Sequence, residues 1–212
     1  MNICLSRKKY EVAVEVGLQK ILVPLGFHRR RDNSYDLTTT DGCKRTCFAT
    51  FTRDRSIDQG SMGVGCSIAL PKITKFMRQC KVFSKDASVG RFATSLFNLS
   101  KKIEHSGWLI DAGTDVDILG VEVADAIQSY ALPFFEKYGT YDVAISVFQS
   151  DSSVDRFMPP RRFDTLSAIY WLQGNRKAAT DLVEEQINKF GPREVIEKAR
   201  AIDYLSFLKG LQ

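Results

Sequence analysis

The chain has 212 residues, of which 44% are hydrophobic and 26% charged, and its formal net charge is +5. This composition is typical of a soluble globular protein and excludes a disordered or low-complexity chain. The charge is uneven, because residues 1–110 hold 19 Lys and Arg against 9 Asp and Glu, whereas residues 111–212 hold 11 against 16. We interpret this asymmetry as two surfaces that face different partners.

Hydropathy, the N-terminal sequence and the cysteine count predict a cytoplasmic protein. No apolar run approaches the roughly 20 residues of a membrane span, so we expect no membrane partner. A short apolar stretch precedes Arg7, Lys8 and Lys9, which is the reverse of the order in a secretory signal. The five cysteines are odd in number and all lie in the basic half, which indicates reduced, mostly buried thiols.

The hydrophobic pattern of the first half predicts one helix followed by an antiparallel meander. Val12, Val16, Gln19 and Val23 repeat at helical spacing, which favours a helix over 7–24. Alternating residues and the hairpin signal Asp41-Gly42 then predict strands, which we place at 34–40, 44–53, 62–70 and 90–99. The stretch between the last two strands, 72–89, predicts a basic loop with one helical turn.

The second half is predicted to be mainly helical. A short strand at 108–110 precedes a long helix, which Thr114 or Asp115 can cap, which Pro133 kinks or ends, and which Gly139 stops. Residues 140–149 fit either a helix or a strand. Three antiparallel helices complete the chain, at 163–173, 175–190 and 192–208, the last with Pro192 in its first position.

The predicted fold class is therefore α+β: an N-terminal helix, an antiparallel β-meander, a long helix and C-terminal antiparallel helices. We expect two domains. Residues 1–139 form an α+β domain that contains the helix, the sheet and the long helix, and residues 140–212 form a helical segment packed on it.

The sequence carries no strong catalytic, cofactor or metal signature. His28 and His105 lie beside no nucleophile at a known spacing, and Cys43 and Cys47 are too far apart on a strand for easy co-ligation of zinc. The run Gly60-Ser-Met-Gly-Val-Gly65 resembles a phosphate-binding loop but opens a strand, so we interpret it as a close backbone approach. We expect no cofactor, no metal and no catalytic residues, and a site assembled from distant residues stays an alternative.

Charged residues are the remaining candidates, as a surface that binds a partner. Basic residues recur beside Phe48 and Phe51, and the candidates among them are Arg29, Arg30, Arg31, Lys44, Arg53 and Arg55. Acidic candidates precede the long helix, where the helix macrodipole favours carboxylates without any metal, at Asp111, Asp115 and Asp117. Basic charge with interleaved aromatic rings fits single-stranded nucleic acid, an acidic protein, or a face that is simply solvated or pairs with the acidic half of the same chain.

Several short motifs together resemble a known family. They are Leu25-Gly26-Phe27, Gly63-Val64-Gly65-Cys66-Ser67-Ile68, Trp108-Leu109-Ile110 and Ala131-Leu132-Pro133-Phe134-Phe135-Glu136-Lys137. Their arrangement resembles the bacterial domain-of-unknown-function 4304 family over roughly residues 8–190. The segment 166–183 also resembles a single tetratricopeptide-type helical hairpin, from which Gln173 departs.

Members of such small families often look like antitoxin or immunity proteins of bacterial competition systems, which act by stoichiometric binding. The resemblance thus implies a non-catalytic cytoplasmic binding protein, an immunity protein that neutralises a cognate toxin by direct protein–protein binding. The alternative is a nucleic-acid-binding module that uses the basic β face. The sequence leaves the oligomeric state open.

Overall fold

The structure is a computed structural model that describes residues 5–54, 59–100, 107–150 and 161–211. It confirms the α+β fold class, with an N-terminal helix, an antiparallel sheet and several following helices. The chain forms two compact units. Unit 1 comprises Met1–Thr40, Lys44–Ile68 and Ala93–Thr140, and unit 2 comprises Asp41–Cys43, Ala69–Phe92 and Tyr141–Gln212.

The predicted N-terminal helix is present in unit 1 and contains one wider turn. Its parts in order are α1 (Leu5–Val14), a π-helical turn (Glu15–Gln19), α2 (Lys20–Leu22) and a 3-10 turn (Val23–Leu25). Gly26 ends it with a left-handed backbone, φ 86°, a conformation that favours glycine.

The predicted antiparallel meander is also confirmed. The sheet contains β1 (His28–Arg29), β2 (Ser34–Thr38), β3 (Lys44–Asp54), β4 (Gln59–Ala69), β5 (Arg91–Ser95) and β6 (Trp108–Ile110). Strands β1 to β5 are neighbours in sequence order, and β6 also pairs with β4. The predicted strand over 90–99 is wrong after Ser95. There a short helix, α4 (Leu96–Leu99), begins because the Ser95 side chain accepts a hydrogen bond from the Asn98 N–H at 3.2 Å.

Glycines in β4 make room for side chains of β3. A Cβ atom at Gly60 would overlap the ring of Phe51, and one at Gly65 would overlap the ring of Phe48. The strand begins at Gln59, three residues before the predicted start, and the close approach comes mainly from aromatic rings of the neighbouring strand, not from its backbone as predicted.

The long helix begins where the sequence predicts and passes through its proline. The Asp115 carboxylate caps α5 (Val116–Ala126) by accepting hydrogen bonds from the N–H groups of Asp117 and Ile118 at 2.9 and 3.1 Å. A π-helical turn (Ile127–Ala131) leads directly into α6 (Leu132–Tyr138). The wider turn lies just before Pro133, whose ring cannot fit against an ordinary preceding turn. Gly139 then stops the helix.

The π-helical turn of the first helix and helix α5 pack at very short range in unit 1. A Cβ atom added to Gly17 would lie 2.6 Å from Cγ1 of Val123, and one added to Gly120 would lie 2.5 Å from Cγ1 of Val16. Each glycine therefore receives a valine of the opposite helix, and no larger residue fits without displacing it.

Unit 2 is mainly helical. Its helices are α3 (Pro71–Met77), α7 (Tyr141–Gln149), α8 (Arg162–Leu172), α9 (Arg176–Lys189) and α10 (Val195–Gly210), with a 3-10 turn at Lys81–Phe83. The ambiguous stretch 140–149 is thus a helix, and its buried Ala144 and Phe148 are four residues apart. The stretch 72–89 holds more helix than the single turn we predict.

The last helix begins three residues later than predicted. Pro192 lies before α10, and the Glu194 carboxylate accepts a hydrogen bond from the Gly191 N–H at 2.9 Å. The preceding helical hairpin is confirmed. Gly174 turns the chain with φ 85°, Asn175 caps α9, and the Ser167 hydroxyl donates to the Ala179 carbonyl at 2.8 Å.

Candidate functional site

Two of the predicted basic residues meet on one carboxylate in unit 1. Arg30 Nε lies 3.0 Å and Lys44 Nζ 2.6 Å from Oδ2 of Asp36, and Thr46 donates to the other oxygen at 2.8 Å. Burial opposes ionisation of Asp36, but the hydrogen bonds from Lys44 and Thr46 outweigh it, so its pKa is lowered. Both cations thus already have an anionic partner within the fold.

The other predicted basic residues are divided in their roles. Arg29 donates to the side chains of Gln19 and Asn33 at 2.9 and 3.1 Å, which ties β1 to the first helix and to the turn before β2. Arg31 and Arg53 are exposed. Arg55 lies outside the described residues, as does His105, whereas His28 is exposed on β1.

The three predicted acidic residues lie at the start of α5, and two of them serve local structure. Asp111 accepts a hydrogen bond from the Thr114 hydroxyl at 3.0 Å, and Asp115 caps the helix. Asp117 is exposed in the first turn. Lys9 completes this corner of unit 1, because its ammonium group donates to the carbonyls of Ala112 and Thr114 at 2.6 and 2.7 Å.

The aromatic rings expected beside the basic face also have partners within unit 1. The ring of Phe51 stacks on Tyr10 at a centroid distance of 5.0 Å and covers Gly60, while Phe48 covers Gly65. A nucleic-acid interface needs rings that can stack on bases. In the described structure both rings are half-buried, and each uses part of its surface within unit 1.

Unit 2 carries a groove of about 560 Å³ at its surface, within the range of ligand clefts. Helices α3, α7 and α8 supply its walls. Its apolar residues are Ile73, Phe76, Tyr141, Ile145, Ile169 and Leu172, and its polar residues are Lys72, Lys75, Gln79, Asp142 and Gln173. We call this site the α3–α7–α8 groove.

Local sequence explains why α3 presents two faces. Pro71 starts the helix with a ring already suited to helical φ. Ile73, Phe76 and Met77, at i, i+3 and i+4, are buried, so Lys72 and Lys75 point to solvent. The Thr74 hydroxyl lies within hydrogen-bond distance of the carbonyls of Leu70 and Val89, at 3.2 and 3.0 Å, which fixes the rotation of this short helix.

Anchors at their ends hold α7 and α8 in place. The Tyr141 N–H at the start of α7 donates to Oδ2 of Asp41 at 2.6 Å, and the ring of Phe148 packs edge-on against Phe92 at 5.8 Å. Arg162 of α8 donates to the Phe148 carbonyl at 3.0 Å. Ile169 and Leu172 of α8, three residues apart, then face the groove, and Leu172 is 49% exposed.

A second polar cluster in unit 2 centres on Arg161, which has a left-handed backbone (φ 59°) just before α8. Its Nε lies 3.3 Å from Asp86 and its Nη1 3.9 Å from Asp164. Burial raises the pKa of Asp164 to about 6, although Arg161 opposes this. For Asp86, burial is outweighed by the hydrogen bonds from Ser88 and the charge of Arg161, so its pKa is lowered. The two carboxyls therefore share one cation unequally.

The described thiols are unsuited to act as nucleophiles. Cys43, Cys47, Cys66 and Cys80 are buried thiols. Burial raises the pKa of Cys80 and, with the neighbouring Cys47, that of Cys66, which keeps them as thiols at neutral pH. Among the described residues there is also no cluster of three metal-ligating side chains, and each helix is too short or too polar to cross a bilayer.

Of the candidate residues, the fold thus brings together Arg30 and Lys44 on one carboxylate. It also places Asp111 and Asp115 in the loop that leads into α5. All nine candidates belong to unit 1, whereas the groove lies in unit 2. Sequence reasoning missed the groove because 72–89 predicts a loop. The signal that could have found it is Pro71 followed by apolar residues at helical spacing.

Comparison with protein-family models, curated proteins and solved structures finds no match for this chain. Membership of the 4304 family therefore stays a prediction from the short motifs.

Proposed function

We propose that the chain is a non-catalytic binding protein whose partner is another protein. The α3–α7–α8 groove carries this proposal, because it combines an apolar floor, whose Leu172 is 49% exposed, with charged residues at its edge. An apolar centre with a polar rim is the composition of protein interfaces.

The side chains that line the groove also suit binding better than catalysis. Its ionisable side chains are two lysines, a tyrosine and one carboxylate, Asp142. Burial raises the pKa of Tyr141, which makes its hydroxyl a weaker acid. The rest of the wall consists of four aliphatic residues, Phe76 and two glutamines, and its apolar part suits the anchoring of apolar side chains.

We further propose that the chain is an immunity protein of the bacterial cytoplasm, which neutralises a cognate toxin by forming a stoichiometric complex. The motif resemblance and the groove support this reading. A binding protein acts by covering the active site or an essential surface of its partner, and complementary charge makes association fast and selective.

Co-expression tests both levels of the proposal. Each open reading frame that neighbours the gene is induced alone and together with this chain, and growth and co-purification are measured. We expect one neighbour to arrest growth, this chain to restore growth, and the pair to elute as a complex of fixed stoichiometry by light scattering. If no neighbour is toxic and none co-purifies, the immunity proposal fails. A complex with a harmless neighbour would retain the binding function alone.

A further inference from the structure

We infer that the α3–α7–α8 groove receives an acidic amphipathic helix of the partner. This inference rests on the proposed binding function and names the chemistry of the segment bound. In this mode, apolar residues on one face of the partner helix enter the groove, and carboxylates beside them meet the cations of α3.

The first argument is the distribution of positive charge. Unit 1 contains 14 Lys and Arg against 13 Asp and Glu, and unit 2 contains 16 against 12. The excess in unit 2 comes from residues 69–92, which hold six basic residues and one acidic residue. Helix α3 lies in this segment, so the most basic part of unit 2 borders the groove.

The second argument is that these cations lack anionic partners. Lys72, Lys75 and Arg78 are exposed at i, i+3 and i+6 along α3, and in the described part of the chain none of them forms an ion pair. Lys72 instead lies beside the ring of Tyr141, whose centroid is 5.8 Å from its Nζ. By contrast, Arg30 and Lys44 already share Asp36.

The third argument is the chemistry of the groove wall. Four of its six apolar residues, Ile73, Ile145, Ile169 and Leu172, are aliphatic, a composition that suits leucine or isoleucine anchors. Its two aromatic rings already have neighbours, because Phe76 stacks on Trp171 and Tyr141 lies beside Lys72, which leaves less flat surface for a nucleobase. A volume of about 560 Å³ accommodates several side chains. An amphipathic helix presents these at i, i+3, i+4 and i+7.

Asp142 gives the bound helix an orientation. It lines the groove from α7, across from the lysines of α3. A partner helix with carboxylates along one edge and a single cation on the other would match both walls, whereas the reversed helix would place like charges together.

The test is a selection from a displayed library of random peptides with helical propensity, with the full chain as bait. We expect the enriched peptides to carry Leu, Ile or Phe at helical spacing together with Asp or Glu. The double variant Lys72→Glu/Lys75→Glu should bind them at least roughly tenfold more weakly. Leu172→Glu should also lose them, and it should fold because Leu172 is half-exposed.

A charge exchange provides the sharpest comparison. Enriched peptides resynthesised with Lys in place of each acidic residue should bind Lys72→Glu/Lys75→Glu better than the parent chain. The matched control is Lys81→Glu/Lys85→Glu, which makes the same change in net charge within 69–92 at exposed positions outside the groove. The control should keep most of the affinity for the acidic peptides.

Other outcomes would overturn the inference. These are no enrichment, enrichment of basic or non-helical peptides, or binding that Lys72→Glu/Lys75→Glu and Leu172→Glu leave unchanged. The same variants separate this result from the proposed function. If they still form the toxin complex in the co-expression test, the groove inference fails while the binding function stands.

Discussion

The carboxyl group of Asp164 links the stability of unit 2 to pH. It lies close to Arg161, but Arg161 is closer to Asp86, and burial raises the pKa of Asp164 to about 6 from an ordinary value of about 4. Because the pKa of Asp164 is raised in the folded state, the protonated carboxyl contributes to the free energy of unfolding. This contribution is complete below about pH 4 and is lost as the pH rises through about 6. At neutral pH the buried carboxylate therefore weakens the fold.

We predict that Asp164→Asn stabilises the protein at pH 7.5. The amide cannot ionise, so it removes a penalty of about 2–3 kcal/mol that follows from a pKa raised by roughly two units. Urea unfolding at pH 7.5 and pH 4 measures the effect, and the advantage of the variant should vanish at pH 4. The control is Asp125→Asn on the exposed face of α5. Equal stability of variant and parent at pH 7.5 would contradict the assignment of a strained, ionised Asp164.

Close packing at two glycines sets the distance between the first helix and α5 in unit 1. Gly17 and Gly120 each receive a valine of the other helix. We predict that Gly17→Ala and Gly120→Ala each lower the free energy of unfolding by about 1–3 kcal/mol, since overpacking outweighs the helix propensity gained with alanine.

The matched control for this prediction is Gly210→Ala in α10. An added Cβ atom there meets nothing within 4 Å, so alanine should stabilise by up to about 1 kcal/mol through helix propensity alone. Thermal unfolding of the three variants side by side gives the comparison. A gain in stability for Gly17→Ala would show that the helices can separate without cost.

Much of this element order follows from local sequence signals. The Asp115 cap, the Asp41-Gly42 turn and the apolar spacing of the helices each depend on neighbours within a few residues, and these predictions are confirmed. The short helix at Leu96–Leu99 departs from the predicted strand, because four residues are too few to show a helical repeat and only the Ser95 cap marks its start.

The site was harder to predict than the fold, because it depends on which distant segments come together. Lys72 and Lys75 face a wall built from α7 and α8, some 70 to 100 residues further along the chain. Conversely, Arg30 and Lys44 look like free basic residues in the sequence, and only the buried Asp36 beside them assigns a structural role. The sequence shows where the basic residues are, but only the fold shows which of them have an anionic partner.

Folding redistributes the charge that the sequence separates into a basic and an acidic half. The basic half and the acidic half of the chain both contribute to each unit, so unit 1 is left with an excess of one positive charge and unit 2 with an excess of four. For the proposed partner, the relevant charge asymmetry is therefore that of residues 69–92. At physiological salt it acts over only about 8 Å, which favours a partner surface that docks directly on α3.

The buried thiols provide a test of cooperativity, since Cys47 and Cys66 belong to unit 1 and Cys43 and Cys80 to unit 2. Strands β4 and β5 each contribute residues to both units, so we predict that the units unfold together. In a Cys4→Ser background, the four thiols should then react with iodoacetamide at the same urea concentrations, as followed by peptide mass spectrometry. Earlier labelling of Cys43 and Cys80 would show that unit 2 opens separately.

The interleaving of the two units also has a consequence for synthesis on the ribosome. Residues 69–92 emerge early, and their Ile73, Phe83 and Phe92, all buried in the finished protein, belong to unit 2. Most of that unit, from Tyr141 onward, is translated only after the last residue of unit 1. The nascent chain must therefore carry an unsatisfied apolar segment while unit 1 completes, and a chaperone that shields this segment would raise the yield of folded protein.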